Sequence, residues 1–202
     1  MKTIRLLILL NFLILFKVAG QDSTNSESAN MAKFNLNLTM AKIAYVTPKQ
    51  YTKSYLSYNA IIGPMLLSGT RHQLEDTKDS IFVYFTIDEI DTSQKYISKM
   101  KRFGIPWDMN KNYLKTHSDT LKYPIVRNSQ TFTKRRYNAD VSGYFELPLQ
   151  QIYVDKYQKC RVAFIHKENR ADIILYFFYN PDNRAIVRKH MNRVLKTIKF
   201  IG

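Results

Sequence analysis

The sequence contains a single cysteine, Cys160, among 202 residues. One cysteine excludes an intramolecular disulfide, so burial of apolar side chains must stabilise the fold. Cys160 alternates with Val162 and Phe164, which predicts a buried strand residue rather than a reactive thiol. The histidines are also few, and no two have the spacing of a common zinc site; they are His72, His117, His166 and His190. We therefore expect no metal site.

Motifs that carry common enzymatic chemistry are missing as well. The six glycines are dispersed, which excludes a glycine-rich phosphate loop, and no serine lies in a G-x-S-x-G elbow. We predict no catalytic residue, no cofactor and a binding role rather than a catalytic one. An alternative is a secreted hydrolase or nuclease whose site combines the dispersed residues His117, His166, Glu168 and Asp172. A third hypothesis is a structural protein of the cell envelope.

The first twenty residues have the pattern of a secretory signal. Lys2 and Arg5 precede the apolar run 6–16, which is too short to span a bilayer, and small residues precede Gln21. We predict cleavage near Gly20–Gln21, export to the periplasm or the extracellular medium, and no transmembrane segment in the mature chain. Residues 21–31 are polar and predict a flexible tether, followed by one α+β domain over 32–202.

The chain is strongly basic. Its 31 basic and 16 acidic side chains give a formal net charge of +15, which loss of Lys2, Arg5 and Lys17 with the signal lowers to +12. The triplet Lys134–Arg135–Arg136 is the candidate binding site, because the few acids nearby cannot pair all three cations. An acidic protein or an anionic envelope surface is the predicted partner, and export argues against nucleic acid. The alternative interpretation is a solvated surface that keeps the domain soluble.

Apolar periodicity predicts a mostly antiparallel sheet, one internal helix and a docked helix at the carboxyl end. The internal helix is expected near 96–103, where Gly104 and Pro106 end it, and a long loop over 105–120. A charged connection is expected over 71–79. The remaining patterns predict strands over 34–40, 42–47, 64–68, 80–87, 123–127, 131–137 and 141–147.

The last 45 residues carry the clearest pattern. Segments 159–166 and 172–179 predict a hairpin, in which Val162 and Phe164 would share a face with Ile173, Leu175 and Phe177. Asn180 and Pro181 are typical of a helix start. The helix that follows has an apolar stripe that we expect to run as far as Ile198 and a cationic opposite face.

Three segments of this region resemble a known family. Residues 160–166 (CRVAFIH), 173–179 (IILYFFY) and the helix leading to 194–200 (VLKTIKF) are similar to the terminal hairpin and helix of PsbP-like domains of secreted proteins. The resemblance implies an antiparallel sheet covered by helices and an accessory or binding role. It assigns no functional residue to a position in this chain.

Overall fold

The computed structural model describes residues 28–53, 61–62, 65–66, 71–93, 97–98, 101–102, 123–149 and 156–202. The fold is α+β, as predicted, with a mostly antiparallel sheet. Helix α1 covers residues 28–40, α2 Gln130–Tyr137 and α3 Arg184–Leu195, the last after a 3-10 turn over Pro181–Asn183. The strands are β1 Ile43–Tyr45, β2 Thr52–Lys53, β3 Ile61–Ile62, β4 Met65–Leu66, β5 Arg71–Asp76, β6 Ile81–Glu89, β7 Val126–Arg127, β8 Val141–Leu147, β9 Lys159–Lys167, β10 Ala171–Tyr179 and β11 Ile198–Phe200.

Seven strands form the main sheet in the order β2-β5-β6-β10-β9-β8-β7, and every neighbouring pair is antiparallel. Strands β6, β9 and β10 lie at its centre. They read as nearly continuous apolar runs because both of their faces are buried. Two further pairs, β1 with β11 and β3 with β4, lie outside this sheet.

The two faces of the sheet bury separate apolar clusters. One face carries Phe85, Ile173 and Leu175 and packs against α3 through Val187 and Val194. The other face carries a second set of buried side chains, namely Phe82, Tyr84, Phe145, Cys160, Val162, Phe164, Ile174, Tyr176 and Phe178. Cys160 is 1% exposed, which confirms the prediction that it is a buried strand residue.

The predicted hairpin of β9 and β10 is confirmed, but its predicted face is wrong by one residue. Phe164 is opposite Ile174 and Val162 is opposite Tyr176, so Val162 and Phe164 share a face with the even-numbered residues of β10. Because side chains alternate along a strand, a slip of one residue transfers the whole partner set to the other face. The residues Ile173, Leu175 and Phe177 instead lie under the helices.

Helix α3 begins close to its predicted start and docks on the sheet as predicted. It ends at Leu195, however, and Ile198 lies in β11 rather than in the helical stripe. Strand β11 pairs with β1, with Ile43 opposite Phe200. Ile198 is therefore buried as part of a strand that follows the helix, although its spacing also fits the helical stripe.

Three other predictions are wrong. Residues 34–40 form part of α1, in which Phe34 is buried while Leu36 and Met40 are more than half exposed. Residues 131–137 belong to helix α2, not to a strand. The charged segment 71–79 contains strand β5, whose alternate residues His72 and Leu74 are buried. In the first segment, Phe34 and Leu38 are four positions apart, a spacing that fits an alternating strand pattern as well as a helix. The second segment has too few apolar residues for either pattern.

The remaining predictions are confirmed in part. Strands β1, β6 and β8 lie where they were expected, whereas β4 and β7 are only two residues long. Residues 97–98 and 101–102 are helical, within the predicted internal helix. Of the predicted tether, residues 28–31 belong to α1, and residues 21–27 lie outside the described part of the chain, as do the signal and the loop 105–120. None of the described helices is long and apolar enough to cross a membrane.

Candidate functional site

The triplet Lys134–Arg135–Arg136 lies in the last turn of α2. Ser129 caps the start of this helix by accepting a hydrogen bond from the N–H of Phe132 at 3.3 Å. Asn138 ends it in the left-handed conformation, with a φ of 51°. Thr133 and Tyr137, four residues apart, are the buried positions. The triplet therefore falls between the anchoring residues of the helix.

The helix separates the three cations into two surface hollows. Arg135 and Arg136 line a hollow of about 380 Å³ together with Asn192 of α3 and Lys196, which directly follows that helix. Lys134 lines a neighbouring hollow of about 440 Å³ together with Lys199 of β11. Successive residues of a helix point about 100° apart, so adjacent cations cannot all face one site. The structure thus joins two members of the predicted site to α3.

Helix α3 extends this surface. A third hollow of about 540 Å³ is lined by Arg188, Lys189 and Arg193, and it shares Asn192 and Lys196 with the hollow beside α2. Residues 188, 192 and 196 follow each other at intervals of four, which places them along one side of the helix. We call this surface the cationic face; it consists of Arg135, Arg136, Arg188, Lys189, Arg193 and Lys196.

The charges of the cationic face are only slightly offset within the described part of the chain, where Lys189 lies close enough to the carboxylate of Asp79 for the two charges to interact. No acidic side chain lines either of its hollows. Arg193 has a neutral partner: with its amide oxygen turned toward the guanidinium, Gln50 accepts hydrogen bonds from it. The described residues offer no ion pair to Arg135, Arg136, Arg188, Lys189 or Lys196.

Part of this arrangement has a purely structural explanation. Cations in the last turn of a helix stabilise it by about 0.3–1 kcal/mol each, and Arg135, Arg136, Arg193 and Lys196 lie near helix carboxyl ends. Arg188 and Lys189 lie in the first half of α3, where the helix dipole gives no such benefit. Bringing two cationic helix ends into one hollow is also repulsive. Helix stabilisation alone therefore does not account for the cationic face.

One aromatic side chain accompanies the cations. Phe132 lines the same hollow as Arg135, Arg136 and Lys196, and 38% of it is exposed. Its ring meets that of Tyr137 edge to face, with centroids 5.8 Å apart. The hollow thus combines cations with an exposed aromatic ring.

The structure brings together two of the residues that the hydrolase hypothesis requires. His166 of β9 is opposite Asp172 of β10, and Nδ1 of His166 lies 2.6 Å from Oδ1 of Asp172. Both side chains are only 2% exposed, so substrate has no access to them in this conformation. Glu168 lies in the exposed turn between these strands, where its N–H binds Asp140, and His117 lies outside the described residues. His166 is therefore a buried histidine whose ring is hydrogen-bonded to a neighbouring carboxylate, as buried polar groups usually are.

A second buried histidine has a network that the sequence did not indicate. His190 of α3 is fully buried. Its Nδ1 lies 2.5 Å from the hydroxyl of Tyr51, and its Nε2 lies 2.8 Å from Oδ2 of Asp79 in the turn between β5 and β6. Asn183 donates a further hydrogen bond to the carbonyl of Asp79. The network therefore ties α3 to the edge of the sheet.

The order Asp79–His190–Tyr51 resembles a relay that activates a nucleophile, but its electrostatics oppose that role. Burial, followed by the charge of Asp76, raises the pKa of Tyr51, so its hydroxyl stays protonated. The hydrogen bond from His190 lowers the pKa of Asp79, which keeps this carboxylate charged. Tyr51 is only 6% exposed. These residues form a fixed polar network rather than a reactive site.

The same network accounts for a metal-like cluster. Oxygens of Asp76 and Asp79 and a nitrogen of His190 lie within 4.8 Å of one another. Both nitrogens of His190 already have hydrogen-bonding partners, and Oδ1 of Asp76 accepts the N–H of Asp79 at 3.0 Å. Hydrogen bonding thus already uses both nitrogens of His190 and one oxygen of each carboxylate.

Comparison with known proteins adds no further assignment. No protein-family model matches this chain, and no curated protein matches it either. The cationic face is therefore the candidate site that the geometry of the chain itself supports.

Proposed function

We propose that this protein is an exported, non-catalytic binding protein whose cationic face attaches it to an anionic envelope surface. One observation carries the proposal: α2 and α3 bring Arg135, Arg136 and Lys196 into one hollow that no described acid neutralises. The resemblance to PsbP-like domains agrees with an accessory role. The alternative partner, an acidic protein, needs acidic groups placed to match the individual cations.

An extended anionic surface is the better match, for two reasons. The cations extend over adjoining hollows on two helices instead of converging in a single deep cleft. Phe132 is exposed beside them, and aromatic rings favour the boundary between lipid and water. Each lysine or arginine held near an anionic membrane contributes about 1 kcal/mol of binding free energy. Several such contributions suffice for reversible attachment without any spanning segment.

The test is sedimentation of the purified mature protein with lipid vesicles. Vesicles that contain phosphatidylglycerol should bind the protein, whereas vesicles of phosphatidylcholine alone should not. Replacing Arg135, Arg136 and Lys196 with Gln should weaken binding on the order of 100-fold, because about 1 kcal/mol is lost per cation. Phe132→Ala should weaken it further without altering its dependence on salt.

The matched control removes equal charge elsewhere. Lys33, Lys53 and Arg102 are exposed residues outside the cationic face. Their joint replacement with Gln should weaken binding far less than the first triple variant. Equal losses in the two triple variants would show that net charge, not this surface, attracts the vesicles. Absence of binding to anionic vesicles would reject an anionic lipid surface as the partner.

A further inference from the structure

A fourth hollow differs from the cationic face in its chemistry. It is a groove of about 510 Å³ at the ends of β8, β9 and β10. Its floor contains the buried side chains of Leu147, Cys160 and Tyr179, and three prolines contribute to its walls. Most of the groove is therefore apolar. Cavities of about 300–1,000 Å³ are typical of small-molecule sites.

The acidic group at this groove is already engaged. Oε1 of Glu146 accepts a hydrogen bond from Nε of Arg161 at 2.6 Å, and the same guanidinium pairs with this carboxylate as a salt bridge. Oε2 of Glu146 accepts a hydrogen bond from the hydroxyl of Tyr179 at 2.9 Å. Burial, together with this bond, raises the pKa of Tyr179 to about 12, so its hydroxyl remains a donor. Arg161 thus balances the charge of Glu146.

Two other cations at the groove are not balanced in this way. Lys159 and Arg184 line it, both are exposed, and neither forms an ion pair with a described residue. Arg184 is the first residue of α3, and Lys196 follows its last turn. Twelve residues of helix separate the two by about 18 Å. Arg188, the member of the cationic face nearest to Arg184 along α3, lies one turn away but lines a different hollow, so the groove adjoins the cationic face and shares no residue with it.

An apolar groove with two free cations at its mouth is complementary to a ligand with an apolar body and one anionic group. We propose that this groove binds a small amphipathic monoanion such as a medium-chain fatty acid. The hydrocarbon chain lies against Leu147 and the proline rings, and the carboxylate lies between Lys159 and Arg184. Burial of the chain supplies most of the affinity, and the two cations select the charge of the head group.

The experiment is calorimetric titration of the full mature protein with decanoate, with decanol as the neutral probe. Decanoate should bind with one-to-one stoichiometry, and decanol should bind at least fivefold more weakly. Joint replacement of Lys159 and Arg184 with Gln should weaken decanoate binding about five- to tenfold, as expected for exposed ion pairs. The binding of decanol should not change in this variant.

Lys33→Gln is the matched control, because Lys33 is an exposed cation of α1 that lines neither this groove nor a hollow of the cationic face. It should leave the affinity for decanoate within twofold, and the ¹³C methyl signals of Leu147 should shift when decanoate is added. Lack of decanoate binding, equal affinity for decanol, or an equal loss in Lys33→Gln would overturn the proposal. Vesicle binding depends on other cations, so each proposal can fail without the other.

Discussion

His72 gives the fold a dependence on pH that can be measured. This residue of β5 is opposite Phe85 in β6, and its side chain is 2% exposed. Its ring stacks on Phe34 with centroids 4.6 Å apart and meets Tyr45 edge to face at 5.5 Å. Burial, followed by the nearby charge of Lys53, lowers the pKa of His72 to about 4. The ring is therefore neutral in the folded protein at neutral pH.

The lowered pKa fixes the sign and the size of the effect. In the unfolded chain a histidine has a pKa of about 6.5, so the unfolded state takes up a proton first as the pH falls. The contribution of His72 to stability is complete above about pH 6.5 and is lost as the pH falls toward 4. Between about pH 7.5 and pH 5, linkage gives a loss of about 2 kcal/mol in the free energy of unfolding.

Urea unfolding of the wild type and of His72→Phe at these two pH values measures this loss. Phenylalanine preserves the aromatic packing against Phe34 and Phe85 and cannot titrate. The variant should therefore lose about 2 kcal/mol less than the wild type over this interval, whatever its stability at the higher pH. Equal losses in the two proteins, or an imidazole NMR titration of His72 centred near pH 6.5, would refute the reasoning.

Three further predictions concern packing, the thiol and processing. Val194→Ala should lower the free energy of unfolding by about 2–3 kcal/mol, because Val194 is fully buried on the side of α3 that packs against the sheet. Lys196→Ala should change it by less than about 0.5 kcal/mol, and equal changes in urea unfolding would mean that α3 is not docked as described. Cys160 should react with a thiol reagent much more slowly in the native protein than in urea, since burial raises the pKa of this thiol, and rapid native labelling followed by mass spectrometry would contradict it. The exported protein should begin at Gln21 or within a residue or two of it, and an intact mass that still includes residues 1–20 would disprove the predicted processing.

The sequence predicts the centre of this fold well and its periphery poorly, for a physical reason. Strands β6, β9 and β10 are buried on both faces, so their long apolar runs admit no other placement. Helix α2 has only two buried residues, Thr133 and Tyr137. An element with so few buried residues leaves almost no periodic pattern in the sequence. Its capping residues, Ser129 and Asn138, indicate the helix better than its apolar residues do.

Only the local part of the candidate site could be predicted from the sequence. The triplet Lys134–Arg135–Arg136 is visible as a local run of charge. Its division between two hollows depends on α2 being a helix, and the approach of Lys196 depends on tertiary packing. The contact of Tyr51 with His190 joins residues 139 positions apart, and no local pattern in one sequence encodes such a contact.

Binding of the cationic face to an anionic surface should depend on salt, and the salt dependence of vesicle binding measures this directly. Affinity for phosphatidylglycerol vesicles would be measured from about 50 to about 500 mM salt, a range over which the Debye length falls about threefold. For the wild type, affinity should fall steeply as salt rises. For the Arg135, Arg136 and Lys196 to Gln variant, the slope should be shallower, whereas the Lys33, Lys53 and Arg102 variant should keep nearly the wild-type slope. Wild-type binding that does not change with salt, or the same slope in the Arg135, Arg136 and Lys196 variant as in the wild type, would show that the cationic face does not bind an anionic surface.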